Sequence, residues 1–361
     1  MSASNRPAVP TVHVRTLAVI GAQPAFVARV PAAFFAIVLG ISGLGTSWHA
    51  AAVLWGVPAG VGDGLMTVAA AMWLILALLY AAKWAWAREA ALAEWRHPVL
   101  CCYVGLVPVA TLFAALAVRP YALGLARGLF LVGGVGQVAF SVGRTGGLWT
   151  GGRDPLATTP VLYLPAVAGG FALSIAAGAF GHATLGTFAF GAGLFSWLAL
   201  ESVVLHRLLV HTPLAVPLLP TLGIQLAPPV VGCVAYLGLT GGAPDRFALA
   251  LLGYGLLQAL VLVRLLPRLR AQQPFTPSYW AFSFGVTALA TAPIRMAARG
   301  ADDLRWLAGG LFAVANVVVV GIAAGTVALA IGGRLLPPAH LPSGAGARVP
   351  TDERHHPETP T

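Results

Sequence analysis

The stretch FTPSYWAFSFGVTALATAP, residues 275–293, is mostly apolar but is interrupted repeatedly by serine, threonine and glycine. It contains two phenylalanines two positions apart, Phe282 and Phe284. On a helix with about 100° per residue, these two rings point to nearly opposite sides. Phe282 shares its side with apolar residues, whereas Phe284 shares its side with Thr287 and Thr291. We interpret Phe282 as a packing ring and Phe284 as a ring that faces an interior.

Two interpretations of Phe284 follow from this helical wheel. In the first, the ring fills a gap between tightly packed helices, and Thr287 and Thr291 hydrogen-bond to their own helix. Faces of small residues are common contact surfaces between membrane helices, and the wheel alone favours this interpretation. In the second, the ring closes a narrow conduit lined by small residues, because hydrophobic constrictions are a recognised way to gate a pore.

The composition restricts the class of protein. Of 361 residues, 58% are hydrophobic and only 9% are charged, whereas soluble proteins carry roughly 25% charged residues. The chain therefore cannot cover a water-facing surface, and a polytopic membrane protein is predicted. The net charge of +10 comes from basic residues between apolar runs, without the continuous stripe that nucleic-acid binding requires. No nucleic-acid partner is expected.

Apolar runs of about 20 residues are long enough to cross a bilayer, and they must be helical there because lipid offers no hydrogen bonds to the backbone. The fold class is thus an all-α polytopic membrane protein with ten transmembrane helices in five hairpins. We expect a cytoplasmic arm over 1–30, a channel-forming domain over 31–334 and a disordered tail over 335–361. The predicted spans are 32–56, 62–86, 98–118, 121–143, 159–179, 183–208, 220–240, 246–266, 277–297 and 304–333.

The basic residues predict the orientation. Of the 21 Lys and Arg residues, 15 lie in or beside the N-terminal arm, the loops after even-numbered spans and the tail. Five lie in or beside the loops after odd-numbered spans, three of them after the ninth, and Arg127 lies inside the fourth span. Because positively charged loops stay in the cytoplasm, both termini are predicted to be cytoplasmic.

Prolines distinguish the odd spans from the even ones. Pro108, Pro165 and Pro228 lie in the third, fifth and seventh spans, and the first span carries Gly40 and Gly43 instead. Proline breaks the helical hydrogen-bond ladder, and the freed carbonyl is tolerated in a membrane only beside protein or a watery cavity. The odd helices are therefore predicted to be the inner ones, in five similar hairpins around an axis.

The opening stretch resembles the ninth helix of the tellurite-resistance and slow-anion-channel family, whose members are also called C4-dicarboxylate or malic acid transporters. Further resemblances occur in family order, over roughly residues 31–333, and they are closer to the bacterial tellurite-resistance branch than to the plant channels. The segments are PAAFFAIVLGISGLG at 31–45, HPVLCCYVGLVPVAT at 97–111, TPVLYLPAVAGGFALS at 159–174 and QLAPPVVGCVAYL at 225–237.

This resemblance implies ten helices in a quasi-fivefold arrangement, with the odd helices around a central pore. It also implies a homotrimer in the bacterial inner membrane, with one pore per subunit and a ninth-helix phenylalanine occluding each pore. That phenylalanine matches Phe284, so the resemblance favours the pore interpretation over packing. The candidates for pore lining or helix kinks are Gly40, Gly43, Pro108, Pro165, Pro228, Thr287 and Thr291.

A few polar residues lie near or within the spans. For Arg127 and Glu201, snorkelling or a structural pair, such as Glu201 with Arg207 or His206, is favoured over a role in the pore, because both lie on even helices. His97 and His49 could sense pH or bind an anion, although interfacial capping and packing are favoured for both. Their roles remain open at the level of sequence.

Anion permeation through a channel gated by Phe284 is the leading hypothesis. The alternative is a proton-coupled carrier for C4-dicarboxylates such as malate, or an exporter of tellurite-type oxyanions. A carrier usually needs a titratable group in mid-membrane, and no odd span carries one. An enzyme would need clustered His, Asp or Glu side chains, so we expect no catalytic site, no cofactor and no metal site. The partners are predicted to be small inorganic or organic anions and the lipid bilayer.

Overall fold

A computed structural model describes residues 25–337. Most of the predicted N-terminal arm and most of the predicted disordered tail therefore lie outside the described residues. The described part of the chain is helical throughout its regular structure and contains no β-strand. The predicted all-α membrane fold is confirmed.

All ten predicted spans are helical, and the main helix of each is numbered α1 to α10. Two short helices, Ala25–Ala28 and Arg88–Arg96, lie outside this numbering. The ten are α1 Phe35–Trp55, α2 Ala59–Trp86, α3 Leu106–Val118, α4 Leu123–Trp149, α5 Gly169–Ala179, α6 Ala183–Val210, α7 Ala227–Leu239, α8 Arg246–Gln272, α9 Trp280–Ala297 and α10 Arg305–Ile331.

Nine of these helical segments in the described residues are long and apolar enough to cross a membrane, and α9 is the exception. Ser283, two threonines and Arg295 lower its apolarity. However, 13 of its 18 residues are buried inside the protein. A helix enclosed by other helices does not need a lipid-compatible surface, so the weak apolarity of α9 agrees with an inner position. The count of ten spans stays a prediction.

Every odd helix is preceded by 3₁₀ or π-helical structure, whereas among the even helices only α10 is, by the 3₁₀ segment Asp302–Leu304. A 3₁₀ segment precedes α1, α3, α7 and α9, and a π-helical segment, Leu164–Ala168, leads into α5. Pro108 is the third residue of α3 and Pro228 the second residue of α7. In the first turn of an α-helix, proline loses no hydrogen bond, because that N–H has no intrahelical partner. These prolines therefore mark where 3₁₀ structure changes to α-helix, rather than breaking a continuous α-helix in its middle.

The odd helices are the inner ones, as predicted. In their most apolar stretches, 61–72% of the residues of the first, third, fifth and seventh spans are buried, against 17–28% in the even spans. Neighbouring odd helices touch in the order α1, α3, α5, α7 and α9, and α9 touches α1 again. The five inner helices thus form a closed ring of contacts.

Each even helix lies outside this ring, over the groove between two inner helices. For example, α2 contacts α1 and α3, α4 contacts α3 and α5, and α10 contacts α9 and α1. The outer faces of these helices are exposed and apolar, as a lipid-facing surface requires. These contacts agree with hairpins arranged around an axis, and the quasi-fivefold arrangement of ten spans stays a prediction.

Polar side chains from outer helices satisfy the backbone where an inner helix is distorted. At the π-helical start of α5, the carbonyl of Pro165 accepts a 2.7 Å hydrogen bond from Gln137 Nε2 of α4 and a second bond from the hydroxyl of Ser141. Gln137 is only 2% exposed. The carbonyl at this proline is therefore satisfied by protein, as the sequence argument requires of a distorted membrane helix.

A buried ion pair fixes the start of the first hairpin. Lys83 Nζ of α2 lies 2.7 Å from Glu94 Oε2 in the short helix Arg88–Arg96, and both side chains are almost fully buried. Glu94 also accepts the backbone N–H of Ala32, and Lys83 donates to the carbonyl of Val30. The ion pair therefore holds the segment before α1 against α2 and the short helix Arg88–Arg96.

Candidate functional site

A cavity of about 400 Å³ lies where the C-terminal parts of the inner helices meet. Every inner helix contributes to its lining, so the cavity is inside the ring, and the five helices run in the same direction towards it. The lining includes Thr46 of α1, Leu116 of α3, Ile175 of α5, Val234 of α7 and Arg295 of α9.

Phe284 of α9 points across the interior of the ring. Its ring meets that of Phe113 on α3 edge to face, with centroids 5.2 Å apart. α9 lies between α1 and α7 in the ring, so this contact joins two helices that are not neighbours. Phe113 is buried, and Phe284 is half-buried. The two rings therefore meet on the inner side of α1, which lies between α3 and α9 in the ring.

Phe282, two residues earlier, has a different environment. Its ring is stacked on that of Tyr279, with centroids 6.0 Å apart. It also packs against Gly223 in the 3₁₀ segment before α7. A methyl group at Gly223 would lie 2.6 Å from the Phe282 ring, which is too close for real atoms. The interpretation of Phe282 as a packing ring is confirmed by this contact with the neighbouring helix segment.

The small residues of α1 form its contact with α9. A methyl group at Gly43 would come within 3.2 Å of the Phe284 ring and would also collide with Thr287, and Gly40 faces Ser283 and Trp280 in the same way. Glycine is required at both positions because the two helices approach so closely. The seam leaves no room between α1 and α9.

Thr287 and Thr291 lie in this same seam and are fully buried. Thr287 donates to the carbonyl of Phe284 at 3.0 Å, and Thr291 donates to that of Thr287 at 2.8 Å. Ser47 of α1 hydrogen-bonds to Thr291 at 2.7 Å and to the carbonyl of Thr287 at 3.0 Å. The threonines thus bond to their own helix, as the packing interpretation expects, and hold α9 to α1 next to Phe284.

The three prolines singled out in the sequence lie on different inner helices and do not meet at one site. Pro165 and Pro228 are buried, whereas Pro108 is half-buried and faces Gly136 of α4. The roles of the seven residues proposed to line or kink a pore stay predictions. What the structure brings together is Gly40 and Gly43 with Thr287 and Thr291, at the seam beside Phe284.

Arg295 is a residue of this site that the sequence analysis missed, because the charge census assigned it to the loop after the ninth span. It lies within α9 and lines the cavity. A signal was present: Arg295 follows Phe284 by 11 residues, which places it about 20° away on a helical wheel. Phe113 gave no such signal, since it is one apolar residue in an apolar run.

Glu201 of α6 connects three helices through neutral hydrogen-bond donors. Its carboxylate accepts from the hydroxyls of Tyr163 at 2.6 Å and Tyr254 at 2.8 Å, and from the indole N–H of Trp197 at 2.9 Å. The suggested pair with Arg207 is wrong, since Arg207 donates to the carbonyl of Thr212. Glu201 therefore attaches α8 and the segment before α5 to α6, outside the ring interior.

The two histidines and Arg127 also have defined surroundings. His97 Nδ1 accepts the backbone N–H groups of Val99 and Leu100, each at 3.1 Å, which confirms the capping interpretation. His49 Nε2 lies 3.0 Å from Asp63 Oδ1, and both residues line the cavity at its edge. Arg127 is exposed on the outer surface of α4, which agrees with snorkelling. Only His49 of these three belongs to the cavity.

A ring of inner helices with a cavity between their C-terminal parts, surrounded by outer helices with exposed apolar faces, is an architecture typical of membrane transport proteins. Residues 29–327 match the family model described as voltage-dependent anion channel, SLAC1, and the chain belongs to this family.

Three relatives illustrate the range of the family. The chain is 35% identical over 263 residues to the tellurite resistance protein TehA homolog of Haemophilus influenzae, covering 73% of this chain and 80% of that one. It is 26% identical over 235 residues to an uncharacterized transporter of Methanocaldococcus jannaschii, covering 59% of this chain and 69% of that one. It is 25% identical over 284 residues to the S-type anion channel SLAH3 of Arabidopsis thaliana, covering 75% of this chain but only 44% of that one. The resemblance inferred from the sequence motifs is confirmed.

Proposed function

We propose that the protein is an anion channel in which small anions pass through the interior of the inner ring and Phe284 occludes the path. The observation that carries this proposal is the contact between Phe284 and Phe113, which crosses the ring between helices that are not neighbours. An aromatic ring in that position blocks the axis without binding an ion. The cavity lies in the same interior, towards the C-terminal ends of the inner helices.

The seam between α1 and α9 supports the role of Phe284. Gly43 lies beneath the ring, and Thr287 and Ser47 lock the backbone on its C-terminal side. A gate needs a fixed backbone so that closure depends on the side chain alone. With the backbone held, a change of the Phe284 side-chain torsion is the smallest movement that opens the axis, since rotamer changes need no helix displacement.

A channel is favoured over a coupled carrier because of the chemistry around the gate. Phe284 meets another phenylalanine, a glycine and threonines whose hydroxyls are already bonded to backbone. None of these groups exchanges a proton near neutral pH. The alternative, a proton-coupled carrier for malate or an exporter of tellurite-type oxyanions, would give a flux that saturates and collapses with the proton gradient.

The proposed setting is the bacterial inner membrane, with both termini in the cytoplasm. The distribution of Lys and Arg between the two sets of loops supports this orientation. A homotrimer with one conduit per subunit is part of the proposal, and it rests on the family resemblance. The broad exposed apolar surfaces of the outer helices are available both to lipid and to neighbouring subunits.

The test is single-channel recording of the purified protein in a planar bilayer, with chloride, nitrate and malate compared. Phe284→Ala should raise anion conductance at least tenfold, because a side chain that fills the axis is removed. Phe282→Ala is the matched control: it deletes the same volume from the same helix but on the packing side. It should lower stability and leave conductance near the wild-type value.

Unchanged currents in Phe284→Ala would remove the gate. If Phe282→Ala opened the protein as strongly as Phe284→Ala, general loosening of α9 would explain the current, and the assignment of Phe284 would be wrong. Phe113→Ala gives an independent check, since the proposal expects it to raise conductance through the same axis.

A further inference from the structure

Arg295 is a cation on the axis side of α9 whose hydrogen-bonding capacity is mostly unused. Among the described residues its one hydrogen bond is from Nη1 to the carbonyl of Val234, at 3.4 Å. Val234 lies inside α7, more than four residues before its end, so its carbonyl already has an intrahelical partner. The contact with Arg295 is therefore supplementary. The rest of the guanidinium group is free to face the cavity that Arg295 lines.

Arg299, one turn later, shows what a structural arginine looks like at the same place. Its Nη2 donates to the carbonyl of Leu237 at 2.7 Å, and its Nη1 donates to that of Thr240 at 3.0 Å. These carbonyls lie at the end of α7, where helix carbonyls lack partners. Arg299 is a helix cap. Since it satisfies the end of α7, Arg295 is not needed for that purpose.

Arg295 and Phe284 share one face of α9. Eleven residues correspond to about three turns, so the two side chains differ by about 20° in direction and by about 16 Å along the helix axis. Phe284 points into the interior of the ring, towards Phe113. Arg295 therefore lies along the same path, beyond the proposed gate and nearer the C-terminal end of the ring.

The C-terminal helix ends around the cavity create a negative potential, which cationic side chains must offset if anions are to enter. Five inner helices point their C-terminal parts at it, and each helix C-terminus carries a partial charge of about −0.5. These ends disfavour an anion in the cavity, although Arg299 offsets part of the charge at the end of α7. Arg295 and Arg119 both line the cavity and oppose this field. Asp63 is the acidic residue in the described lining, and it is paired with His49.

We propose that Arg295 forms a binding site for planar oxygen anions, such as nitrate and carboxylates, at this end of the conduit. A guanidinium group presents parallel N–H donors that match two oxygens of a planar anion, whereas spherical chloride uses this geometry less well. The site would concentrate such anions in the cavity, about three turns of α9 beyond the gate, and make the protein prefer them over chloride. This inference rests on the proposed function and adds the class of anion that it favours.

The first experiment measures currents in the Phe284→Ala background. Arg295→Gln should raise the half-saturating nitrate concentration at least tenfold, because a charge-assisted contact is lost. Arg295→Lys keeps the charge and should keep the preference for anions over cations, but it should lose most of the preference for nitrate over chloride. Arg305→Gln is the control, since Arg305 is half-exposed and pairs with Asp302 outside the cavity.

The second experiment does not need conduction. Nitrate should raise the Tm of the detergent-purified wild-type protein more than chloride does at equal ionic strength, because a ligand of the folded state stabilises it. The difference should vanish in Arg295→Gln and persist in Arg305→Gln.

Equal Tm values in nitrate and chloride for the wild-type protein would overturn the site. The same conclusion follows if Arg295→Gln and Arg305→Gln give the same nitrate dependence of current. By contrast, a Phe284→Ala protein that passes no anion, together with a nitrate effect on Tm that depends on Arg295, would refute the proposed channel and leave the binding site standing.

Discussion

Inner and outer helices are both largely apolar, α9 less so than the others, yet they differ in regularity and in exposure. The outer helices run unbroken for 27 or 28 residues, whereas the inner ones start with 3₁₀ or π-helical segments and continue as α-helices of 11 to 21 residues. Apolarity places both kinds of helix in the membrane. Proline, glycine and hydroxyl residues decide which helices are enclosed, because only an enclosed helix can satisfy a disturbed backbone.

This comparison implies a division of roles: inner helices form the path, and polar residues of outer helices attach those helices to the ring. Glu201 gives the strongest test. Glu201→Ala leaves the hydroxyls of Tyr163 and Tyr254 and the indole N–H of Trp197 without their acceptor. The expected loss is roughly 3 kcal/mol or more, since hydrogen bonds to charged groups contribute about 1.5–3 kcal/mol each. Thermal unfolding in detergent measures it.

Glu201→Gln keeps the volume and one acceptor oxygen, so its loss of stability should be smaller. In the Phe284→Ala background, both variants should conduct anions like the parent. If either Glu201 variant changed the anion selectivity without losing stability, Glu201 would belong to the permeation path, and the proposed division of roles between inner and outer helices would be wrong.

The contact between α5 and α6 gives a test of intermediate size. A methyl group at Gly170 would lie 2.8 Å from the Cα and N atoms of Gly193, and backbone atoms cannot move aside as a flexible side chain can. Gly170→Ala should therefore destabilise the protein by about 1–3 kcal/mol, the usual cost of overpacking. The measurement is the Tm shift relative to the wild-type protein.

Gly191 is the matched control on the outer helix of the same hairpin, because a methyl group there would meet no atom within 4 Å. Gly191→Ala should be neutral or stabilise by about 0.5–1 kcal/mol, as alanine is the better helix former. Equal Tm shifts for the two substitutions would show that the close approach of inner to outer helix is not maintained in the membrane protein.

The smallest expected effect is at His97, which caps the 3₁₀ segment before α3 from outside the membrane span. Partial desolvation lowers the pKa of His97 below its ordinary value, and the two N–H groups bonded to Nδ1 need an unprotonated nitrogen. In the unfolded chain, His97 takes up a proton as the pH falls through about 6.5. In the folded chain it does so only at a lower pH. Stability from this group is therefore present above about pH 6.5 and is lost as the pH falls.

His97→Ala should remove the cap, with a loss of roughly 1 kcal/mol at pH 7.5, and should flatten the decline in Tm between pH 7.5 and 5.5. His211→Ala, at an exposed position, should keep the wild-type decline. A pH dependence unchanged by His97→Ala would contradict the capping role.

The sequence predicted which helices are inner and which are outer. Proline and glycine mark where the helical hydrogen bonds are disturbed, and this is a local property of the chain. It also predicted the two sides of α9, since a helical wheel needs only the period. It could not predict Phe113 as the partner of Phe284, because contact across the ring depends on the tertiary arrangement of five helices. The contacts of Glu201 with Tyr163 and Tyr254 were missed for the same reason, since these two donors come from other spans, and charge suggested Arg207.

The circular contact pattern has a consequence for synthesis. Of the ten helices, α1 emerges from the ribosome first, but α9, which covers its glycine seam, emerges only with the last hairpin. Until then no helix covers Gly40 and Gly43, and the partly synthesised ring is open on that side of α1. Every earlier hairpin can dock on its predecessor as it appears, yet closure waits for the fifth. A premature stop before α9 would thus yield a membrane-inserted fragment that is mostly assembled and permanently unclosed, a natural substrate for quality-control proteases.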